Sequence, residues 1–163
     1  DSPRGIDTRK NRGGFVMKVA MACDHGGIDL KNVLKSELEA MGHEVVDYGT
    51  YTKDAVDYPD YGYKAAKAVA SGECEKGVVV CGTGIGISIS CNKVNGIRCA
   101  LCHDVFSAKA TRAHNDANML AMGQRVIGQG LALEILHAFF EGEYEGGRHD
   151  TRIAKLMAIE NNQ

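Results

Sequence analysis

Cys81 closes the apolar run Val78-Val79-Val80 and stands directly before Gly82-Thr83-Gly84-Ile85-Gly86, so a thiol and a glycine-rich turn meet at one point of the chain. Glycines accept positive φ and let the backbone approach a ligand, and the N–H groups that open a following helix carry the positive end of its dipole. An anion belongs in such a turn, either a phosphate or an oxyanion that exists only during a reaction. The same dipoles favour a thiolate, which is both base and nucleophile. The stretch also reads more simply, as a small apolar strand end followed by a tight turn. Asp24-His25-Gly26-Gly27 offers a carboxylate for a hydroxyl and an imidazole for an anion or a proton transfer, or else a helix cap beside a solvent-facing ring. His114-Asn115-Asp116 offers an acid/base with a neutral donor, or a histidine favoured by a helix C-terminus. Arg148 and Arg152 are spaced i, i+4, so a helix beginning near His149 puts both guanidiniums on one face, as a phosphate clamp or as a solvated basic face. Arg125, between Gly123 and Gly128, is a further cation.

The elements that must carry these residues alternate. Apolar strand patterns run over Lys18–Cys23, Glu44–Tyr48, Gly77–Cys81, Ile97–Cys102 and Met119–Met122. Helical patterns fall over Ile28–Met41, capped by Gly42, from the Asp57-Tyr58-Pro59 turn to about Ser71, from the glycine turn to about Asn92, and over Val105–His114, Leu131–Phe140 and Thr151–Ile159. Strict alternation with apolar strands predicts an α/β fold whose parallel sheet is covered on both faces. Ligands then sit beyond the carboxyl ends of the strands, where Asp24, Cys81 and His103 fall.

Bulk properties narrow the function. Residues Asp1–Val16 show no apolar period and read as a disordered leader or expression remnant, leaving 17–163 as a single domain. That remainder holds 15 Lys and Arg against 19 Asp and Glu, a net −4 that disfavours nucleic acid and membrane surfaces as partners. No run reaches membrane-spanning length. Six cysteines without a signal peptide suggest reduced thiols in the cytoplasm. Cys99 and Cys102 match C-x-x-C, but on a strand they point to opposite faces. His137 falls in an apolar helix and reads as core or interface, and no histidine pair has metal-ligand spacing, so no metal is expected.

Taken in order, Asp24-His25-Gly26-Gly27, Asp57-Tyr58-Pro59, Cys81-Gly82-Thr83-Gly84-Ile85-Gly86, His114-Asn115-Asp116 and Tyr144-Glu145-Gly146-Gly147-Arg148-His149 resemble the ribose-5-phosphate isomerase B family, from Met17 to about Glu160. The resemblance implies a five-stranded parallel sheet in a three-layer α/β/α sandwich, Rossmann-like, in a homodimer (or tetramer) whose sites use both chains. It implies interconversion of ribose 5-phosphate and ribulose 5-phosphate through an enediolate, with no metal or other cofactor. Cys81 would be the base and Thr83 its assistant, with Gly82, Gly84 and Gly86 holding the enediolate oxygen. His114, helped by Asp24, would open the furanose ring. His25, Arg148 and Arg152, with Arg125, would hold the phosphate, and Tyr58 and Asn115 complete the binding set. Some members place a glutamate base just after the glycine turn; here that position is Ile87.

Other readings compete. Six-carbon phosphates of allose or galactose are alternative substrates, and a non-catalytic phosphosugar-binding module would need the arginines but not Cys81. A dinucleotide site is suggested by Gly82-x-Gly84 with Asp104 about 20 residues on, although the third glycine comes one position early.

Overall fold

The computed structural model describes residues 16–163; the expected leader, Val16 apart, lies outside them. The described elements are β1 (Lys18–Cys23), α1 (Ile28–Ala40), β2 (Glu44–Asp47), α2 (Tyr58–Ala70), β3 (Lys76–Cys81), α3 (Ile85–Asn92), β4 (Cys99–Leu101), α4 (Val105–Ala110), β5 (Met119–Gly123), α5 (Gln129–Glu141) and α6 (His149–Ala158). A wide π-type turn, Thr111–Asn115, prolongs α4, and a short 3-10 turn, Ile159–Asn161, ends α6.

All five strands pair in parallel in the order β2-β1-β3-β5-β4. Alternate residues of the central strands serve opposite layers, which is why these strands are apolar throughout. Val19, Met21, Val78, Val80, Leu120 and Met122 pack with α1, α4 and α5, while Ala20, Ala22, Val79, Cys81, Met119 and Ala121 pack with α2 and α3. The result is a three-layer α/β/α sandwich. On α1, Leu34 and Leu38 are fully buried, each side chain contributing roughly 1.5–3 kcal/mol. Gly42, at φ 93, ends that helix while its N–H bonds to Glu39 O and that of His43 to Leu38 O, the pairing of a Schellman cap.

Three sequence expectations are refined and a fourth holds. The fourth strand is confined to Cys99–Leu101, because it is an edge strand and the Arg98 carbonyl already turns to accept the N–H groups of Asn118 and Met119. The last helix starts at His149 rather than Thr151. His137 is not a core residue: it lies at the surface between Glu37 of α1, at 2.7 Å, and Glu141, at 2.8 Å. Cys99 and Cys102 do face opposite layers, and all six cysteines are free.

One buried charge was not anticipated. Lys31, 1% exposed, donates to Asp47 at 2.8 Å and to the Thr50 carbonyl at 2.9 Å, pinning the loop that follows β2.

Candidate active site

β1 and β3 are neighbours, yet the helices that follow them, α1 and α3, cover opposite faces. Such a switch point opens a crevice beyond the strand ends. The two loops there touch: a Cβ on Gly26 would lie 3.3 Å from the Gly82 nitrogen, and one on Gly27 would lie 2.6 Å from the Val80 carbonyl oxygen. At Gly27 only glycine allows that approach. Asp24, 8% exposed, accepts the Gly26 N–H at 2.9 Å, which aims its carboxylate into the crevice beside the Gly82 turn.

Cys81 ends β3 with its sulfur accepting the Gly84 N–H at 3.1 Å. Cys23, which ends the neighbouring strand, is arranged the other way: its thiol donates to the Thr50 carbonyl, and burial pushes its pKa up to about 11. The turn after Cys81 depends on Gly84, which sits at φ 76 with no room for a Cβ, the nearest atoms being Leu101 Cδ1 and the Met122 backbone at 2.7 Å. Thr83 accepts the Ile85 N–H at 3.2 Å, so its hydroxyl proton remains available to a ligand. The Tyr58 ring at the start of α2 lies against Gly86, where a Cβ would be 2.6 Å from it. Arg125 reaches the same turn from β5: the N–H groups of Gln124 and Arg125 donate to the Cys81 and Gly82 carbonyls at 2.9 and 3.0 Å, and the Arg125 side chain passes beside Gly82. His25 accepts the Val56 N–H on Nδ1 at 3.1 Å. In the neutral ring the proton is therefore on Nε2, a donor for an anion.

His114, Asn115, Arg148 and Arg152 gather elsewhere. They line a cleft of about 450 Å³ together with His149, Ile153 and Leu156. His114 stacks on His149 with ring centroids 4.5 Å apart and planes 18° apart. The Glu145 carboxylate stands 3.6 Å from His114 Nε2 and 3.9 Å from His149 Nε2. These three groups could hold a metal by proximity alone. A coordinated ion lies in the plane of each imidazole that binds it, however, and two near-parallel stacked rings share no such point unless one turns out of the stack. The donor set therefore fits a metal poorly.

The turn with His114 precedes β5, and its Arg112 and Asp116 act on Lys76, which opens β3, as charged neighbours. His114 thus lies at the amino edge of the sheet and Cys81 at the carboxyl edge, about 17–20 Å apart along the six residues of β3. Within one chain His114 is not beside Asp24. A larger concavity of about 750 Å³ outside α2, lined by Val56, Asp57, Pro59 and Tyr61 among others, includes none of the candidate site residues. Asp104 is committed as a helix cap, both its oxygens bonded to Ser107, whose donors hold its pKa below the usual carboxylate range, so it is not free to take a ribose hydroxyl.

Several participants carried no sequence signal that singled them out. Gln124 accepts the Leu30 N–H at 3.0 Å across 94 residues, tying the loop after β5 to α1. Glu145 and His149 were visible only as neighbours of Arg148.

Residues 19–156 match the family model described as Ribose/Galactose Isomerase. The chain belongs to the ribose/galactose isomerase family. It is 47% identical over 143 residues to ribose-5-phosphate isomerase B of Escherichia coli (strain K12), covering 88% of this chain and 96% of that one. It is 41% identical over 149 residues to D-erythrulose-4-phosphate isomerase of Pectobacterium atrosepticum, covering 91% and 98%. The solved structure of Clostridium thermocellum ribose-5-phosphate isomerase B superposes with a TM-score of 0.88 at 51% identity, covering 90% of this chain and 99% of that one. Membership of the ribose/galactose isomerase family puts the chain among the sugar-phosphate isomerases. Ile87, just after the glycine turn, is fully buried. Among the described residues no helix is long and apolar enough to cross a membrane.

Proposed function

We propose that the protein interconverts ribose 5-phosphate and ribulose 5-phosphate through an enediolate, with Cys81 as the base. The observation that carries this reading is the Gly84 N–H directed at the Cys81 sulfur inside a turn of close-packed glycines. The thiolate removes the C2 proton of the open-chain aldose and returns it to C1. The Gly82–Gly86 turn offers the oxygen that becomes negative between those steps its N–H groups other than those of Gly84 and Ile85, which Cys81 and Thr83 take, and the Thr83 hydroxyl passes a proton between O1 and O2. His114 moves a proton between O1 and the ring oxygen to open the furanose, with Asp24 orienting a hydroxyl. His25, Arg125, Arg148 and Arg152 hold the phosphate, the remote group whose binding positions the reacting carbons. Tyr58 and Asn115 line the sugar. Every step is a proton transfer for which these side chains suffice.

The two halves of this machinery lie at opposite edges of one sheet, so we propose a homodimer in which the amino-edge cleft of each copy covers the carboxyl edge of the other. Apolar side chains available for that contact include Ile85 and Ile89 of α3, and Leu156 and Ile159 near the C-terminus, all exposed. The six free cysteines suit a cytoplasmic enzyme.

The relatives' names cover ribose 5-phosphate and D-erythrulose 4-phosphate, and the family description names galactose, so chain length of the sugar is the open variable. Coupled assays of turnover on ribose 5-phosphate, allose 6-phosphate and galactose 6-phosphate decide it. The reading expects the highest kcat/KM on ribose 5-phosphate, and a higher value on either six-carbon phosphate would replace it with the alternative.

A further inference from the structure

We infer that Arg98 is a positioning residue for the proposed reaction, its guanidinium fixing the turn that bears His114 and Asn115 relative to the helix that bears Arg148 and Arg152. The inference rests on the proposed function. Burial does little to hold α6, since His149 is its one buried residue. The ties are polar, and Arg98 is at their centre.

Its backbone is anchored first: the Arg98 N–H donates to Asn118 Oδ1 at 2.8 Å, and its carbonyl accepts from Asn118 and Met119 at the start of β5. From that base Nε donates to the Asn115 carbonyl at 3.0 Å and Nη2 to the Asp116 carbonyl at 2.7 Å, while Nη1 reaches Met157 Sδ in α6 at 3.3 Å. The two carbonyls border the reversal at Asp116, a non-glycine residue at φ 47, and a rigid planar fork suits consecutive acceptors in a way that an ammonium group does not. Arg112 also grips Asp116, at 2.9 Å, and the Ala117 carbonyl, but both of those contacts stay on the turn. A second tie runs alongside, from the Gly96 N–H to Glu160 just beyond α6. Arg98 therefore joins what α6 and the turn present to a phosphorylated sugar. A displacement of about 1 Å in such a constellation costs about 100-fold in rate.

The test is steady-state kinetics on ribose 5-phosphate for full-length Arg98→Lys and Arg98→Ala, with His114→Ala, Arg148→Ala and Arg98→Lys/His114→Ala beside them and a thermal melt of each. Arg98→Lys keeps the charge and the stem and so guards against simple misfolding. The expected result is a loss of about 10- to 100-fold in kcat/KM for Arg98→Lys, spread over both kcat and KM, with inorganic phosphate inhibiting more weakly. Added guanidinium at millimolar levels should partly restore Arg98→Ala, and the double variant should be little worse than His114→Ala alone, because the two act as one unit. Wild-type kinetics in Arg98→Lys would overturn the inference, as would a loss in Arg98→Ala that follows its melting temperature and ignores guanidinium. If His114→Ala and Arg148→Ala are themselves unimpaired, the proposed function fails and the inference falls with it.

Discussion

The two edges of the sheet are held in opposite ways. At the carboxyl edge backbone lies directly on backbone: Cβ atoms built on Gly27, Gly84 and Gly123 would fall 2.5–2.7 Å from the Val80, Met122 and Thr83 main chains. At the amino edge the His114 turn and α6 are joined by side chains, through Arg98 and the His114–His149 stack. The first arrangement is fixed by what the residues lack, which makes it rigid and indifferent to pH. The second depends on charge and on ring orientation, which makes it adjustable and sensitive to solution conditions. That division suits the chemistry proposed for each, a base that must meet one carbon and an anchor that must find a charged group.

The largest effect should come from the rigid edge. Cys81→Ser leaves the turn intact but replaces the base with a hydroxyl that is a far poorer proton acceptor at neutral pH, so turnover should fall by about 100- to 10,000-fold. Calorimetric binding of substrate should be nearly unchanged. Near-normal turnover would remove Cys81 from the mechanism, and a phosphosugar-binding module, indifferent to this residue, would then become the better reading.

A glycine pair sharpens the contrast. In Gly123→Ala the new methyl would meet the Thr83 carbonyl group at 2.5 Å, so the variant should lose stability at the upper end of the ~1–3 kcal/mol typical of overpacking, and its kcat should drop as Thr83 is displaced. Gly147→Ala meets no atom within 4 Å and suffers only its φ of 60, at a cost of about 1–2 kcal/mol, and its kinetic defect should lie mainly in KM. Urea denaturation and steady-state kinetics on both variants test this. Equal losses, with the same kinetic signature, would dissolve the distinction between the edges.

The smallest effect concerns His137, which joins α1 to the end of α5 and so steadies the segment leading to α6. Hydrogen bonds to Glu141 and Glu37 raise its pKa above 6.5. A group with a raised folded pKa contributes stability that is fully present below the unfolded value and is lost as pH rises through the folded one. Melting temperatures followed upward from pH 6 should thus converge between wild type and His137→Gln, the wild type being higher at the acid end. The ring is partly exposed, which keeps the effect small. A difference that grows with pH instead would give the contact the opposite sign.

What could be read in the chain follows the same division. Apolar runs announced the strands, and the glycines around Cys81 and Asp24 announced a crevice, because both signals are local. That His114 stands at the far edge was implicit in its place before the last strand, since all strands run parallel. Strand order was not legible, because five apolar strands look alike until their partners are known. Nor were Arg98, Lys31 or Gln124, whose significance lies in contacts that span 16 to 94 residues and that no local pattern marks.

Each site, on this account, takes Cys81 from one copy and His114, Arg148 and Arg152 from another. Mixing the inactive variants Cys81→Ser and His114→Ala under conditions that exchange subunits tests it most directly. If sites are shared, half of the randomly mixed dimers are hybrids, each with one site intact in both halves, and activity should return to about a quarter of wild type. A mixture that remains as inactive as its parents after proven exchange would contradict the account and put both halves of the site in a single chain.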